Sequence, residues 1–128
     1  MEIKKHLFAF CAFFFIACAS QGGMNPKLIK DLYVDDFHSD DVGNCKTSDV
    51  DLNHSQARLF FQRARIVEYK IIHDHYELAP CYLEGPLAYK SEPCTWKIRA
   101  GATGSISCGD KEWYFVCDNC EDLFESKK

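Results

Sequence analysis

From Cys94 onward, apolar and polar residues alternate with a period of two. Cys94, Trp96, Ile98 and Ala100 fall on one side, and Thr95, Lys97 and Arg99 on the other. That is the pattern of an antiparallel strand with one buried face. Gly101–Gly104 reads as a turn, Ser105–Cys108 as a short strand, and Gly109-Asp110-Lys111 as a second turn. Glu112–Cys117 reads as the next strand, with Trp113, Phe115 and Cys117 on one face. Ahead of these, Tyr82–Lys90 carries Gly85-Pro86 at its middle, a pair that demands a bulge, an edge position or a break.

Upstream the period changes. Ala57, Phe60, Phe61 and Ala64 recur at three- and four-residue spacing, which predicts a helix from about His54 to Ile66 or Val67. Asn53 with Gln56 three residues on forms a capping-box pattern, and Leu52 and Ala57 occupy the staple positions around it. Arg58, Gln62 and Arg65 take the opposite face, and Arg63 and Arg65 suit the negative pole of the helix. The aromatic face reads as core. The expected fold is α+β: one amphipathic helix packed on a three- or four-stranded antiparallel meander, stabilised by disulfides.

Two segments resist a single period. In residues 67–80, Tyr69, Ile71 and His73 alternate with Lys70, Ile72 and Asp74. On a strand, His73 and His75 would face the same way and could share a metal, but two histidines without a third placed ligand are a weak signal beside a polar loop or strand end. Residues 31–51 form an acidic arm with Asp31, Asp35, Asp36, Asp40, Asp41, Asp49 and Asp51. Leu32-Tyr33-Val34 and Phe37 suggest a short strand or docked extended segment within it, stapled to the body by Cys45. Asp49, Asp51 and Asn53 alternate as calcium-loop ligands do. A loop starting at Asp49 would need glycine at its sixth position and glutamate at its twelfth, where this chain has His54 and Phe60, so no EF-hand is expected.

The N-terminus fixes the expected compartment. Lys4 and Lys5 precede an unbroken apolar run, Leu7–Ala17, too short to span a bilayer and suited to the core of a secretory signal. Phe15-Ile16-Ala17-Cys18 resembles the lipobox of bacterial lipoproteins. The resemblance covers four residues, with Phe15 in place of the usual leucine. It implies cleavage before Cys18 and a lipid on that cysteine, with the membrane as a partner through that anchor. Ala19 is not the aspartate that favours inner-membrane retention, so the resemblance points to the outer membrane, on its periplasmic face. Cleavage after Ala19 at Ala17-Cys18-Ala19 is the alternative, and would leave a soluble periplasmic or secreted protein. The domain reading is therefore a signal peptide over 1–18, a flexible tether over 19–30, and one small globular domain over 31–128.

Composition narrows the function classes. The chain of 128 residues carries a formal charge of −4; residues 1–18 hold two lysines and one glutamate, so removing them leaves −5. Nucleic acid is an improbable partner for such a chain, whereas a basic protein would be attracted. Of eight cysteines, Cys11 lies in the signal and Cys18 is lipidated or removed. Cys45, Cys81, Cys94, Cys108, Cys117 and Cys120 remain as disulfide candidates in an oxidising compartment, and spacing does not choose their connectivity.

Cys117-Asp118-Asn119-Cys120 is the one spacing that suggests chemistry. The structural reading pairs each cysteine with a distant one, pinning the C-terminus to the body. A thiol–disulfide exchange reading, as in thioredoxin-like proteins, wants a helix after the motif and a lowered thiol pKa. Asp118, Glu121 and Asp122 oppose thiolate formation. A zinc reading takes Cys117 and Cys120 with two further ligands, with His73 and His75 as weak candidates. No G-x-S-x-G elbow, H-E-x-x-H helix or glycine-rich phosphate loop is present. The expectation is an exported, envelope-associated protein-binding module, inhibitor- or immunity-like, without catalysis or cofactor. A redox or zinc module built on Cys117 and Cys120 is one alternative, and a purely structural envelope lipoprotein another.

Overall fold

The computed structural model describes residues 23–76 and 79–124. The expected signal peptide, with Cys11 and Cys18, and the first residues of the expected tether lie outside them. Among the described residues the fold is α+β, a curled antiparallel sheet with three short helices and three disulfides. The strands are β1 (Ile29–Lys30), β2 (Asp36–Ser39), β3 (Arg65–Val67), β4 (Cys81–Tyr89), β5 (Glu92–Arg99), β6 (Thr103–Cys108) and β7 (Lys111–Val116). The helices are α1 (His54–Arg63), α2 (Tyr69–His75) and α3 (Glu121–Phe124). The sheet runs β1-β4-β5-β6-β7-β3, with β2 also on the outer edge of β4.

The meander β4–β7 matches the expected alternation, and its turns follow from local chemistry. Lys90 and Ser91 both take positive φ between Tyr89 and Glu92, as a two-residue hairpin requires. Gly109 supplies positive φ between β6 and β7. The expected three or four strands were too few. The additions are short strands of two to four residues that pair with distant segments. β1 and β2 share one edge of β4, and β3 pairs with β7 on the other side of the sheet.

Gly85-Pro86 breaks nothing in β4, which stays continuous. The irregularity falls instead on the neighbouring segment between β1 and β2, where Asp31 takes a positive φ. There Tyr33 N–H donates to the Pro86 carbonyl at 3.1 Å and Asp35 N–H to Glu84 at 2.9 Å. The Tyr33 backbone passes so close to Gly85 that a Cβ there would collide with its carbonyl oxygen. Trp96 Nε1 donates to the Tyr33 and Pro86 carbonyls, both at 3.2 Å.

The last residues of the expected tether pack against the sheet. Asn25 caps a single 3-10 turn, Pro26–Leu28, and Ile29 is fully buried opposite Tyr89. An apolar side chain with a ready edge partner docks when given one.

Helix α1 starts as expected. Asn53 Oδ1 accepts from Gln56 N–H at 2.8 Å and Gln56 Oε1 from Asn53 N–H at 2.9 Å. It ends sooner, at Arg63, because Arg65–Val67 leave as β3 to pair with β7. Its Phe60 and Phe61 are buried against one face of the sheet, with Phe61 edge-on to Phe115 at 5.0 Å and to Trp96 at 6.1 Å. Gly104 lets Phe60 approach: a Cβ there would sit 3.0 Å from the Phe60 ring and 2.8 Å from the Lys97 carbonyl oxygen. Leu83, Ile98 and Ile106 complete this core.

Residues 69–75 form a helix, not a strand. The segment leaves β3 and doubles back over the opposite face of the sheet, where Ile72 is buried and Tyr69 lies 5.2 Å from Tyr114. Its apparent alternation over seven residues is too short to discriminate periods. No described helix is long and apolar enough to cross a membrane.

Candidate functional site

The six cysteines pair as Cys45–Cys81, Cys94–Cys108 and Cys117–Cys120, with Cα separations of 5.7, 4.5 and 5.6 Å. Cys45 staples the acidic arm to β4, as the sequence suggested. Cys117 and Cys120 depart from the structural reading, which gave each a distant partner. Strand β7 ends at Val116 and α3 begins at Glu121, so the motif forms a tight turn that brings its own two cysteines together.

Around this turn stands a polar network. Arg63 Nη1 donates to Asp122 Oδ1 at 2.8 Å, and Arg65 Nε to Asp118 Oδ2 at 3.1 Å. Tyr76 Oη donates to Asp118 Oδ1 at 2.7 Å and accepts from Arg65 at 3.2 Å. The Tyr76 hydrogen bond and then Arg65 hold the Asp118 carboxyl below its ordinary pKa, while Arg63 does the same for Asp122. Asp118 in turn raises the Tyr76 phenol. Both cysteines are buried, at 5% and 1% exposure, and the intervening carboxylate is ionised. This surrounding disfavours a thiolate.

The metal alternatives lose their geometry. On α2, His73 and His75 are two residues apart, which turns them to different faces of a helix. Both are exposed, and His73 Nδ1 sits 3.3 Å from Asp74. Cys117 and Cys120 are committed to each other. Among the described residues, one grouping is tight enough for a metal: Cys45, Asp49 and Cys81. Its two sulfurs are joined and offer no thiolates, and Asp49 already accepts from Lys46 N–H at 2.9 Å. The span from Asp49 to Phe60, where no calcium loop was expected, is taken up by the end of a 3-10 turn, Thr47–Val50, and the start of α1.

The acidic arm is exposed at every aspartate: Asp31, Asp35, Asp36, Asp40, Asp41, Asp49 and Asp51. It is fixed by the rungs to β4 and by the Cys45 bridge. His54 Nδ1 also accepts from Val34 N–H at 2.9 Å. Few cations neutralise it among the described residues. Arg99 lies 3.4 Å from Asp40, and the His38 imidazole, charged only when protonated, lies 3.4 Å from Asp36 and 2.7 Å from Glu84.

Sequence reasoning missed a third place. Between α2 and the outer face of the sheet lies a cleft of about 200 Å³, lined by Tyr69, Ile72, Lys97, Arg99, Thr103, Gly104, Ser105, Glu112 and Tyr114. Lys97 and Arg99 were legible as the polar side of β5. The cleft itself needed the helix over Tyr69–His75, which the alternation concealed. Burial, and then the nearby Glu112, raise the pKa of the Tyr114 phenol. No family model, curated protein or solved structure matches the chain.

Proposed function

We propose that this is an exported, envelope-associated protein-binding module that engages a basic partner through its acidic arm, in the manner of an inhibitor or immunity protein, and that it performs no catalysis. The observation that carries this reading is the fixed exposure of seven aspartates on one cross-linked segment. A rigid array of like charge steers an oppositely charged partner without the ordering cost of a floppy tail. In this reading the lipid on Cys18 holds the module at the outer membrane, and cleavage after Ala19 would release it to the periplasm or medium.

The test is capture from envelope extracts by the immobilised protein, beside a variant carrying Asp35→Asn, Asp36→Asn, Asp40→Asn and Asp41→Asn. A basic partner retained at low salt, released at raised salt and bound about tenfold more weakly by the variant supports the reading. Retention indifferent to both salt and the arm overturns it.

One observation favours a second reading. Cys117 and Cys120 close on each other, as a dithiol–disulfide couple would. On this reading mild reduction opens Cys117–Cys120 first and exposes one reactive low-pKa thiol. Alkylation and mass mapping after mild reduction decide between the two.

A further inference from the structure

The cleft under α2 has features that a folded core does not explain. Thr103 lines it, is 1% exposed, and has a buried hydroxyl oxygen with no hydrogen-bond partner. Such a group is costly to bury unpaired. Lys97 lines the cleft half-buried, and among the described residues no carboxylate pairs with it. Glu84 stands opposite Lys97 on β4 without an ion pair joining them, and the Lys97 ammonium and the orphan hydroxyl are both hydrogen-bond donors. Both are satisfied by one negatively charged oxygen group.

The surroundings define the rest of the ligand. Lys97, Ser105 and Tyr114 stand in register across β5, β6 and β7, and Arg99 stands in register with Thr103. Adjacent strands are about 4.8 Å apart, so the row from Lys97 to Tyr114 spans about 10 Å. Its cationic end is held in place. Lys97 Nζ lies 4.8 Å and the Arg99 guanidinium 4.7 Å from the centre of the Tyr82 ring, and Arg99 donates to the Ala79 carbonyl at 2.9 Å. Its other end is aromatic, with Tyr69 and Tyr114 over the buried Ile72. Glu112 lines that end too and resists a second negative charge there.

We propose that this cleft is a binding site for a small carboxylate on an aromatic or apolar stem, with the carboxylate at Lys97, Thr103 and Ser105 and the stem against Tyr69 and Tyr114. The cleft meets the acidic arm through Arg99, which lies 3.4 Å from Asp40.

The experiment is an NMR titration of the exported, oxidised and isotope-labelled protein with phenylacetate, using inorganic phosphate as a control for simple anion attraction. Saturable shifts at residues 97, 103, 105 and 114, absent with phosphate, are expected. Lys97→Met should weaken phenylacetate binding at least about tenfold, the scale of one charge-assisted contact. Thr103→Val should weaken it while raising the melting temperature, because the orphan hydroxyl is gone. Glu112→Gln should tighten it. Absence of saturation, equal shifts with phosphate, or full binding by both the Lys97→Met and Thr103→Val variants would overturn the proposal.

Discussion

The two faces of the sheet are built from the same strands and treated in opposite ways. On the α1 face, Phe60, Phe61, Trp96, Ile98, Ile106 and Phe115 are all buried, and the aromatic rings meet edge to face. On the α2 face, β5, β6 and β7 present Lys97, Arg99, Thr103, Ser105, Glu112 and Tyr114 around a cleft, with a helix of only seven residues as partial cover. Antiparallel strands permit this division because successive side chains point to opposite faces. One face is packed to hold the fold. The other keeps charge around a cleft and buries a hydroxyl without a partner, an arrangement that makes little sense for stability alone.

The contrast can be broken hardest on the packed face. Phe61→Ala, which removes a ring touching Phe60, Trp96 and Phe115, should lower unfolding stability by about 3–5 kcal/mol in a denaturant titration. That is a large share of the total for a domain of this size. Next comes the covalent frame. Replacing Cys45 and Cys81 together by serine opens a bridge between residues 36 apart and should cost about 2–4 kcal/mol by the same titration. The Cys117–Cys120 pair, only three residues apart, should cost less. On the open face the sign reverses: Thr103→Val should stabilise by about 1 kcal/mol, by removing a buried hydroxyl without a partner.

The smallest effect concerns the network that ties α2 to the turn after β7. Asp118 has its pKa lowered in the fold, so its contribution is present above the ordinary value of 3.8 and is lost as pH falls through the lower folded value. Tyr76 has its pKa raised, so its contribution holds below the ordinary 10.0 and is lost as pH rises through the higher folded value. Hydrogen exchange at the amides of α2 should therefore accelerate at both extremes. Asp118→Asn should abolish the acid limb while leaving exchange in α1 unchanged.

The same division decided what could be seen in the sequence. The packed face was legible: the Asn53–Gln56 box, the Phe60–Phe61 stripe and the alternation of β5 and β7 are local patterns that repeat. The open face was not. Lys97 and Arg99 read as an ordinary solvated side until α2 came over them, and seven residues hold too little periodicity to announce a helix. Ile29–Lys30 and Arg65–Val67 were missed as strands, and Asp36–Ser39 was signalled only by Phe37, because each is defined by a partner far along the chain. The pairing of Cys117 with Cys120 was likewise a matter of geometry, set by a turn that spacing cannot reveal.

The whole account rests on the six cysteines being closed braces in an exported protein. The direct measurement is mass mapping of the protein isolated from the cells that make it, from every compartment, digested without reduction after alkylation of free thiols. The expected result is no alkylated cysteine, the bridges Cys45–Cys81, Cys94–Cys108 and Cys117–Cys120, and an N-terminus at Cys18 or Ser20. Free thiols at these positions on a chain that still begins at Met1 would contradict it.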